Sequence, residues 1–393
     1  MRYLIIGGGP AGLCAAATLR RIDEKSRVTI LTGEQLPPYS RIALPYLLTG
    51  SVEERLLFLP LPPEVNVVLG ETAAEVIPRL QEVRTSSGRR FRYDSLLIAT
   101  GSEAIRPEIE GCRLPFVFTI RNLPDIRSLR RVLAARRTGR AVVAGAGPVG
   151  LELSDALHRL GFSVTLVISS GRVFSTMLDE ASSAFLQKSL EASGVEIRKT
   201  TNVVKVSPSG EALLSSGETR LCDVVVFGKG VTPSMSFLDG SGIETRQGIT
   251  VNAHQQTSVP GIYAAGDVAE TKDLVYGDSR VNALWPVAFE QGRLAAYNMG
   301  SRPLAYDGSY SRNILRVFGL SIAAAGKARE DTPHARSETG LDFHRRLVLK
   351  EGILEGFVLM GEVRNEGLYN DLLRRKAPFV SCYAKVVRKH MRP

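Results

Sequence analysis

The chain has 393 residues, 44% hydrophobic and 23% charged, with a formal net charge of +10 at pH 7. That length gives core enough for about two to four domains, and the balance of apolar and charged residues excludes a disordered or fibrous chain. No stretch approaches the roughly 20 uninterrupted apolar residues of a membrane span, so no membrane association is expected.

At the N-terminus, the apolar run Tyr3-Leu4-Ile5-Ile6 leads into Gly7-Gly8-Gly9-Pro10-Ala11-Gly12. It enters a glycine turn at once, as a strand does, and lacks the apolar region of a secretory leader. The pattern predicts a strand over 3–7, a helix over 12–21 and a strand over 28–32. One G-x-G-x-x-G is weak evidence. A second, Gly145-Ala146-Gly147-Pro148-Val149-Gly150, follows Ala141-Val142-Val143-Ala144, with a helix predicted over 150–160 and a strand over 164–168. Such glycines permit a tight turn, let the backbone approach a pyrophosphate and let the helix pack on its strand. The starts lie 138 residues apart (145 − 7), as expected of two nucleotide folds rather than a short repeat.

Further apolar runs end in glycine turns: Leu96-Leu97-Ile98-Ala99-Thr100-Gly101, Val224–Phe227 and Ile262-Tyr263-Ala264-Ala265-Gly266-Asp267. Trp285-Pro286 precedes a predicted helix over 287–299, with proline placed for helix entry. After Ser309 the sequence turns strand-rich, as at His344–Lys350 and Ile353–Met360, suggesting a small α+β domain. The expected division is 1–112 with 240–310 as one nucleotide fold, 113–239 as the second, and 311–393 as the C-terminal domain.

Residues 311–393 carry 16 Lys/Arg against 9 Asp/Glu, or +7 of the net charge. A solvated face and a docking face for an acidic protein both fit. Nucleic acid fits poorly, because no aromatic platform or binding motif accompanies the charge. Cys14, Cys112, Cys222 and Cys382 form no C-x-x-C pair, and no histidine cluster has metal-site spacing, so no metal is expected. Isolated cysteines suit a reducing cytoplasm. Cys14, within the first helix, reads as packing. Glu34, about 22 residues past Gly12, is placed to accept both ribose hydroxyl protons of an adenosine.

Leu97-Ile98-Ala99-Thr100-Gly101 and Ile262–Asp267 resemble the two further FAD signatures of the pyridine-nucleotide-disulfide oxidoreductase superfamily. The resemblance covers roughly residues 1–310. It implies two Rossmann-like, glutathione-reductase-like α/β domains with Asp267 on the ribitol of FAD. Pro38-Tyr39-Ser40-Arg41, Leu44-Pro45-Tyr46-Leu47, Met177-Leu178-Asp179, Leu284-Trp285-Pro286 and Glu290-Gln291-Gly292 are similar to the flavoprotein module of NAD(P)H nitrite reductases and to NADH:rubredoxin reductases. The small C-terminal domain of those proteins is similar as well. By that resemblance Arg41 approaches the FAD pyrophosphate, and the helix after Trp285-Pro286 aims its positive end at the flavin. Gly230, in Gly228-Lys229-Gly230-Val231-Thr232-Pro233, flanks the nicotinamide pocket, and Glu152 reaches toward the nicotinamide.

The departures narrow the chemistry. No redox cysteine pair follows the first fold, and Ile42 stands where coenzyme A disulfide reductases and related oxidases place their single cysteine. Isoleucine forms no thiolate, so the flavin itself must relay electrons. Tyr46 stands where some rubredoxin-reductase relatives place a lysine beside the flavin, so by that resemblance Tyr46 joins Glu152 as a catalytic candidate. After Val167, Ser169 and Arg172 replace the usual ribose carboxylate. They can receive a 2′-phosphate, so the reading leans to NADPH, with NADH open. The expected function is electron transfer from NAD(P)H through FAD to an acidic redox protein such as rubredoxin, ferredoxin or a partner oxidoreductase subunit. An oxidase or diaphorase and a non-catalytic flavoprotein subunit are the alternatives. The resemblance also makes a homodimer plausible.

Overall fold

The computed structural model describes residues 1–135 and 138–379. The chain forms two compact units. One comprises Met1–Ala43, Val52–Glu103 and Val231–Tyr310; the other comprises Leu44–Ser51, Ala104–Gly230 and the described residues from Ser311 onward.

The first unit is built on a five-stranded parallel sheet in the order Ile262–Ala264, Ser95–Ile98, Arg2–Ile6, Arg27–Thr32, Val65–Leu69. The central strands read as near-continuous apolar runs because helices and loops cover both faces. Ile5, Ile30, Leu97 and Ile98 are wholly buried, each contributing about 2 kcal/mol of transfer free energy. Helix Pro10–Ile22 lies on this sheet against helix Trp285–Met299. Gly292 makes that approach possible, since a Cβ there would strike the Ala11 carbonyl oxygen.

The second unit repeats the device. Its parallel sheet runs Glu196–Arg198, Phe162–Val167, Gly139–Ala144, Val224–Phe227, Val117–Thr119. The four-strand order around the glycine-bearing strand matches the first sheet. The fifth strand differs: in the first sheet it comes last in the chain, and in the second it comes first.

The strand-rich region after Ser309 is a five-stranded antiparallel sheet, ordered Arg312–Val317, Leu320–Gly326, Ile353–Met360, His344–Lys350, Ala335–Thr339. Helix Glu366–Arg375 packs on it. Within the second unit it is joined to helix Glu180–Ala192 by a buried polar network. Arg346 pairs with Asp179 at 3.1 Å. His344 bonds Ser182 Oγ at 2.9 Å through Nε2 and Thr339 Oγ1 at 2.8 Å through Nδ1. This satisfies a histidine that is 1% exposed; burial lowers its pKa.

The predicted elements are present with small shifts at their ends. The Trp285 helix begins two residues early, because Pro286 sits inside its first turn. The second-fold helix is Pro148–Arg159 and the strand after it Phe162–Val167, each displaced by about two residues for the same reason of proline entry and glycine exit. Cys382 and His390 lie outside the described residues.

Candidate functional site

Helix caps distinguish the elements that carry the site. Helix Leu123–Ala134 starts with a capping box of Asn122 and Asp125, and helix Glu180–Ala192 is capped by Asp179, whose carboxylate accepts the Ser182 amide at 3.3 Å. Helices Pro10–Ile22, Pro148–Arg159 and Trp285–Met299 have no side-chain cap and no acidic residue in their first turns. Their N-terminal amides therefore remain available, with the positive end of the helix dipole, for an external anion or electron-rich group.

In the first unit, the turn at Gly7 is fixed by its amide donating to the Leu31 carbonyl at 2.7 Å. Gly7 has φ +112°, and a Cβ there would strike the Ala99 carbonyl oxygen. A Cβ on Gly12 would strike the Gly7 carbonyl oxygen, whereas Gly9 faces open space. Two glycines thus close the turn, and the third leaves a cradle for a ligand. This fits a dinucleotide pyrophosphate.

Glu34, beyond the strand Arg27–Thr32, accepts a hydrogen bond from the Tyr39 hydroxyl at 2.5 Å and pairs with Arg41. The Arg41 guanidinium also lies over the Tyr39 ring, 5.1 Å from its centroid. The structure thus brings Glu34 and Arg41, read separately from the sequence, into one cluster at the lip of the cradle. Thr100 Oγ1 donates to the Ser234 carbonyl at 2.7 Å, and Gly101 takes φ +70°. Asp267 accepts from Ser102 Oγ at 2.8 Å. The Gly266 amide donates to Gln291 Oε1 at 2.8 Å, which ties the FAD-signature turn to the Trp285 helix. Gln291 stands in the Glu290-Gln291-Gly292 motif, whose spacing alone gives it no role. Its near-complete burial, at 1% exposure, gives it one here.

The second unit holds the other cradle. Gly145 takes φ +121°, a Cβ there would strike the Gly228 carbonyl oxygen, and a Cβ on Gly150 would strike that of Gly145. Gly147 faces open space. Past the strand Phe162–Val167, exposed Ser169 leads into a turn where Ser170 Oγ donates to the Arg172 carbonyl at 2.8 Å. Arg172 Nε is buried with no protein acceptor. An orphaned guanidinium N–H at that lip suits an anionic ligand group. Val149 is exposed at the helix start, Gly230 takes φ +92°, and its neighbour Lys229 donates to Asn202 Oδ1 at 2.8 Å. Burial lowers the pKa of Lys229.

Glu152, one turn into the open-capped helix, is half-buried. Burial first, and the neighbouring Asp155 carboxylate second, push its pKa from 4.5 up to about 7. The group therefore changes charge near neutrality, as an acid–base residue requires. Tyr46 lies on the short helix Leu44–Leu48 of the same unit and is 49% exposed.

Cysteine chemistry has no foothold at these places. Ile42 is exposed in a 3-10 turn. Cys14 is buried and its thiol is pushed up, mainly by desolvation. Cys222 is pushed up to about 11 for the same reason. Among the described residues no group of three His, Cys, Asp or Glu could hold a metal, and no helix is long and apolar enough to cross a membrane.

Comparison with known proteins agrees with this geometry. The chain is 28% identical over 340 residues to the NADH oxidase of Methanocaldococcus jannaschii, covering 83% of this chain and 76% of that protein. It is 29% identical over 391 residues to the assimilatory nitrate reductase electron transfer subunit of Bacillus subtilis. That match covers 95% of this chain but 49% of the subunit, so the chain spans about half its length. The solved NADH:rubredoxin oxidoreductase of Clostridium acetobutylicum matches with a TM-score of 0.81 at 25% identity, covering 97% and 95% of the two chains. The profile of the pyridine nucleotide-disulphide oxidoreductases matches residues 1–292. The chain belongs to that family, whose oxidoreductases use FAD and NAD(P)H.

Proposed function

We propose that this chain is a thiol-free electron relay that takes electrons from NADPH and delivers them to a separate acidic redox protein. The first cradle holds FAD through Gly7, Gly9, Pro10, Ala11 and Gly12. Glu34 and Arg41 stand at its adenosine side, Ala99, Thr100 and Gly101 line it, and Gly266, Asp267, Trp285 and Pro286 serve the flavin side. The second cradle holds the nicotinamide nucleotide through Gly145, Gly147, Val149 and Gly150, with Ser169 and Arg172 toward the 2′-phosphate and Gly230 beside the nicotinamide. A flavin held there would supply the chemistry of taking an electron pair from a nicotinamide and releasing it singly or in pairs. The protein's part is position and charge: the open helix ends face electron-rich groups, and Glu152 holds or releases a proton near the nicotinamide.

The observation that carries this reading is the pairing of two open glycine cradles with an isoleucine at the nucleophile position and buried thiols at Cys14 and Cys222. Ile42 occupies the nucleophile position, and Cys14 and Cys222 are buried thiols held protonated. The basic end of helix Glu366–Arg375, where Arg374, Arg375 and Lys376 are exposed, supports an acidic partner. Similarity to a protein named NADH oxidase supports a second reading, in which oxygen is the acceptor.

Anaerobic stopped-flow mixing with NADPH or NADH tests both. The relay predicts rapid loss of flavin absorbance, faster with NADPH, slow recovery in air, and recovery accelerated by added rubredoxin or ferredoxin. Fast recovery in air alone would establish the oxidase reading instead.

A further inference from the structure

The helix that carries Glu152 is gripped from outside its own fold. Strand Arg312–Val317 of the C-terminal sheet packs on helix Pro148–Arg159. At the end of that strand, Phe318 and Gly319 form a two-residue hairpin before Leu320–Gly326, with Val317 paired to Leu320. Both turn residues have positive φ, Phe318 at +49° and Gly319 at +78°. Such turns ordinarily take Asn, Asp or Gly at the first place, and a bulky residue there is strained.

Two contacts hold the strained residue. The Phe318 amide donates to Asp155 Oδ1 at 2.8 Å. Its ring packs on His158 with centroids 5.3 Å apart. Both partners are on the Glu152 helix. Asp155 is three residues beyond Glu152, a spacing that puts two side chains on one helix face about 5–6 Å apart.

We propose that Asp155 is a positioning residue: pinned by the Phe318 amide, it keeps its carboxylate beside Glu152 and so links the C-terminal sheet to the nicotinamide-side carboxyl. The small domain then does more than cover a face of the nucleotide fold. Its hairpin fixes where the Asp155 carboxylate lies relative to Glu152. Other charged or titratable groups on elements packed against the helix are Arg140 on the sheet, Arg312 and Arg316 on the gripping strand, and Tyr46 on the short helix. Asp155 is the group among them whose charge raises the Glu152 pKa. The catalytic half of this inference rests on the reading of Glu152 given above.

The test uses the FAD-loaded full chain with carbon-13-labelled glutamate, the Glu152 carboxyl signal being assigned by its disappearance in E152Q. In the native protein that signal should titrate at about 7. D155N keeps the oxygen that accepts the Phe318 amide but removes the charge. It should lower the midpoint by about half a unit or more, about half a unit being the size expected for one charge roughly 5–6 Å away screened by a water-like dielectric. D155A loses both, and hydrogen exchange at the Phe318 amide should then quicken at least tenfold while D155N leaves it protected. An unmoved midpoint in D155N, or unchanged Phe318 protection in D155A, would overturn the proposal. A midpoint that moves while the pH dependence of NADPH-driven flavin reduction stays fixed would uphold the link and remove Glu152 from the nicotinamide reading.

Discussion

The two nucleotide folds use one backbone device and finish it with different side chains. In each, two glycines are wedged against carbonyl oxygens, a third opens onto the ligand space, and a proline-led helix starts without a cap. The lips then diverge. The first offers a carboxylate, Glu34, already bonded to Tyr39 and Arg41. The second offers hydroxyls and an orphaned guanidinium N–H at Arg172. On the function proposed above, the shared part would bind pyrophosphate and the divergent part would decide which nucleoside follows.

The strongest way to break this comparison is to fill the cradles one at a time. Gly12→Val and Gly150→Val each drive a side chain into a carbonyl oxygen that cannot yield. The first should give protein purified without flavin. The second should retain flavin that NADPH no longer bleaches, a loss of a hundredfold or more. Identical behaviour of the two variants would show that the cradles are not separate sites.

Arg172→Ala sharpens the difference between the lips. A charge-assisted contact of about 1.5–3 kcal/mol corresponds to roughly 10- to 100-fold, so KM for NADPH should rise by that factor while KM for NADH barely changes. Equal effects on both nucleotides would place Arg172 away from the 2′-phosphate.

Glu152 tests the second fold through pH. Its folded-state pKa of about 7 lies above the ordinary 4.5, so the folded chain holds that proton more tightly than the unfolded one. The associated stability is present below about pH 4.5 and is lost as pH rises through 7. E152Q should flatten this decline, on the order of 3 kcal/mol, in denaturant titrations across that range. A decline of unchanged size would mean that other groups set it.

The smallest effect is expected at the surface. Reversing Arg374, Arg375 and Lys376 to glutamate should slow reduction of an acidic carrier several-fold and weaken its salt dependence, with flavin reduction by NADPH unaffected. Unchanged carrier kinetics would remove these residues from the docking surface.

The glycine turns, the FAD signatures and the strand–helix alternation could be read from the sequence because each is local, with spacing and residue type together dictating a turn. The partnership of Glu34 with Arg41 was not readable as a pair, since a loop brings residues seven apart into contact. Asp155 gave no signal at all. Its meaning depends on a hairpin 163 residues further along the chain, and no periodicity within the helix announces that contact. The same holds for Asp179, a motif residue whose buried partner, Arg346, lies in the C-terminal sheet.

The central claim is that electrons pass without a thiol, and replacing Cys14, Cys112, Cys222 and Cys382 together by alanine tests it most directly. Flavin absorbance of the purified variant first verifies that the first cradle still binds. Anaerobic reduction by NADPH, followed by transfer to rubredoxin or ferredoxin, should then run within about twofold of the native rate. A flavin-loaded variant that is bleached by NADPH yet fails to reduce the carrier would contradict the account.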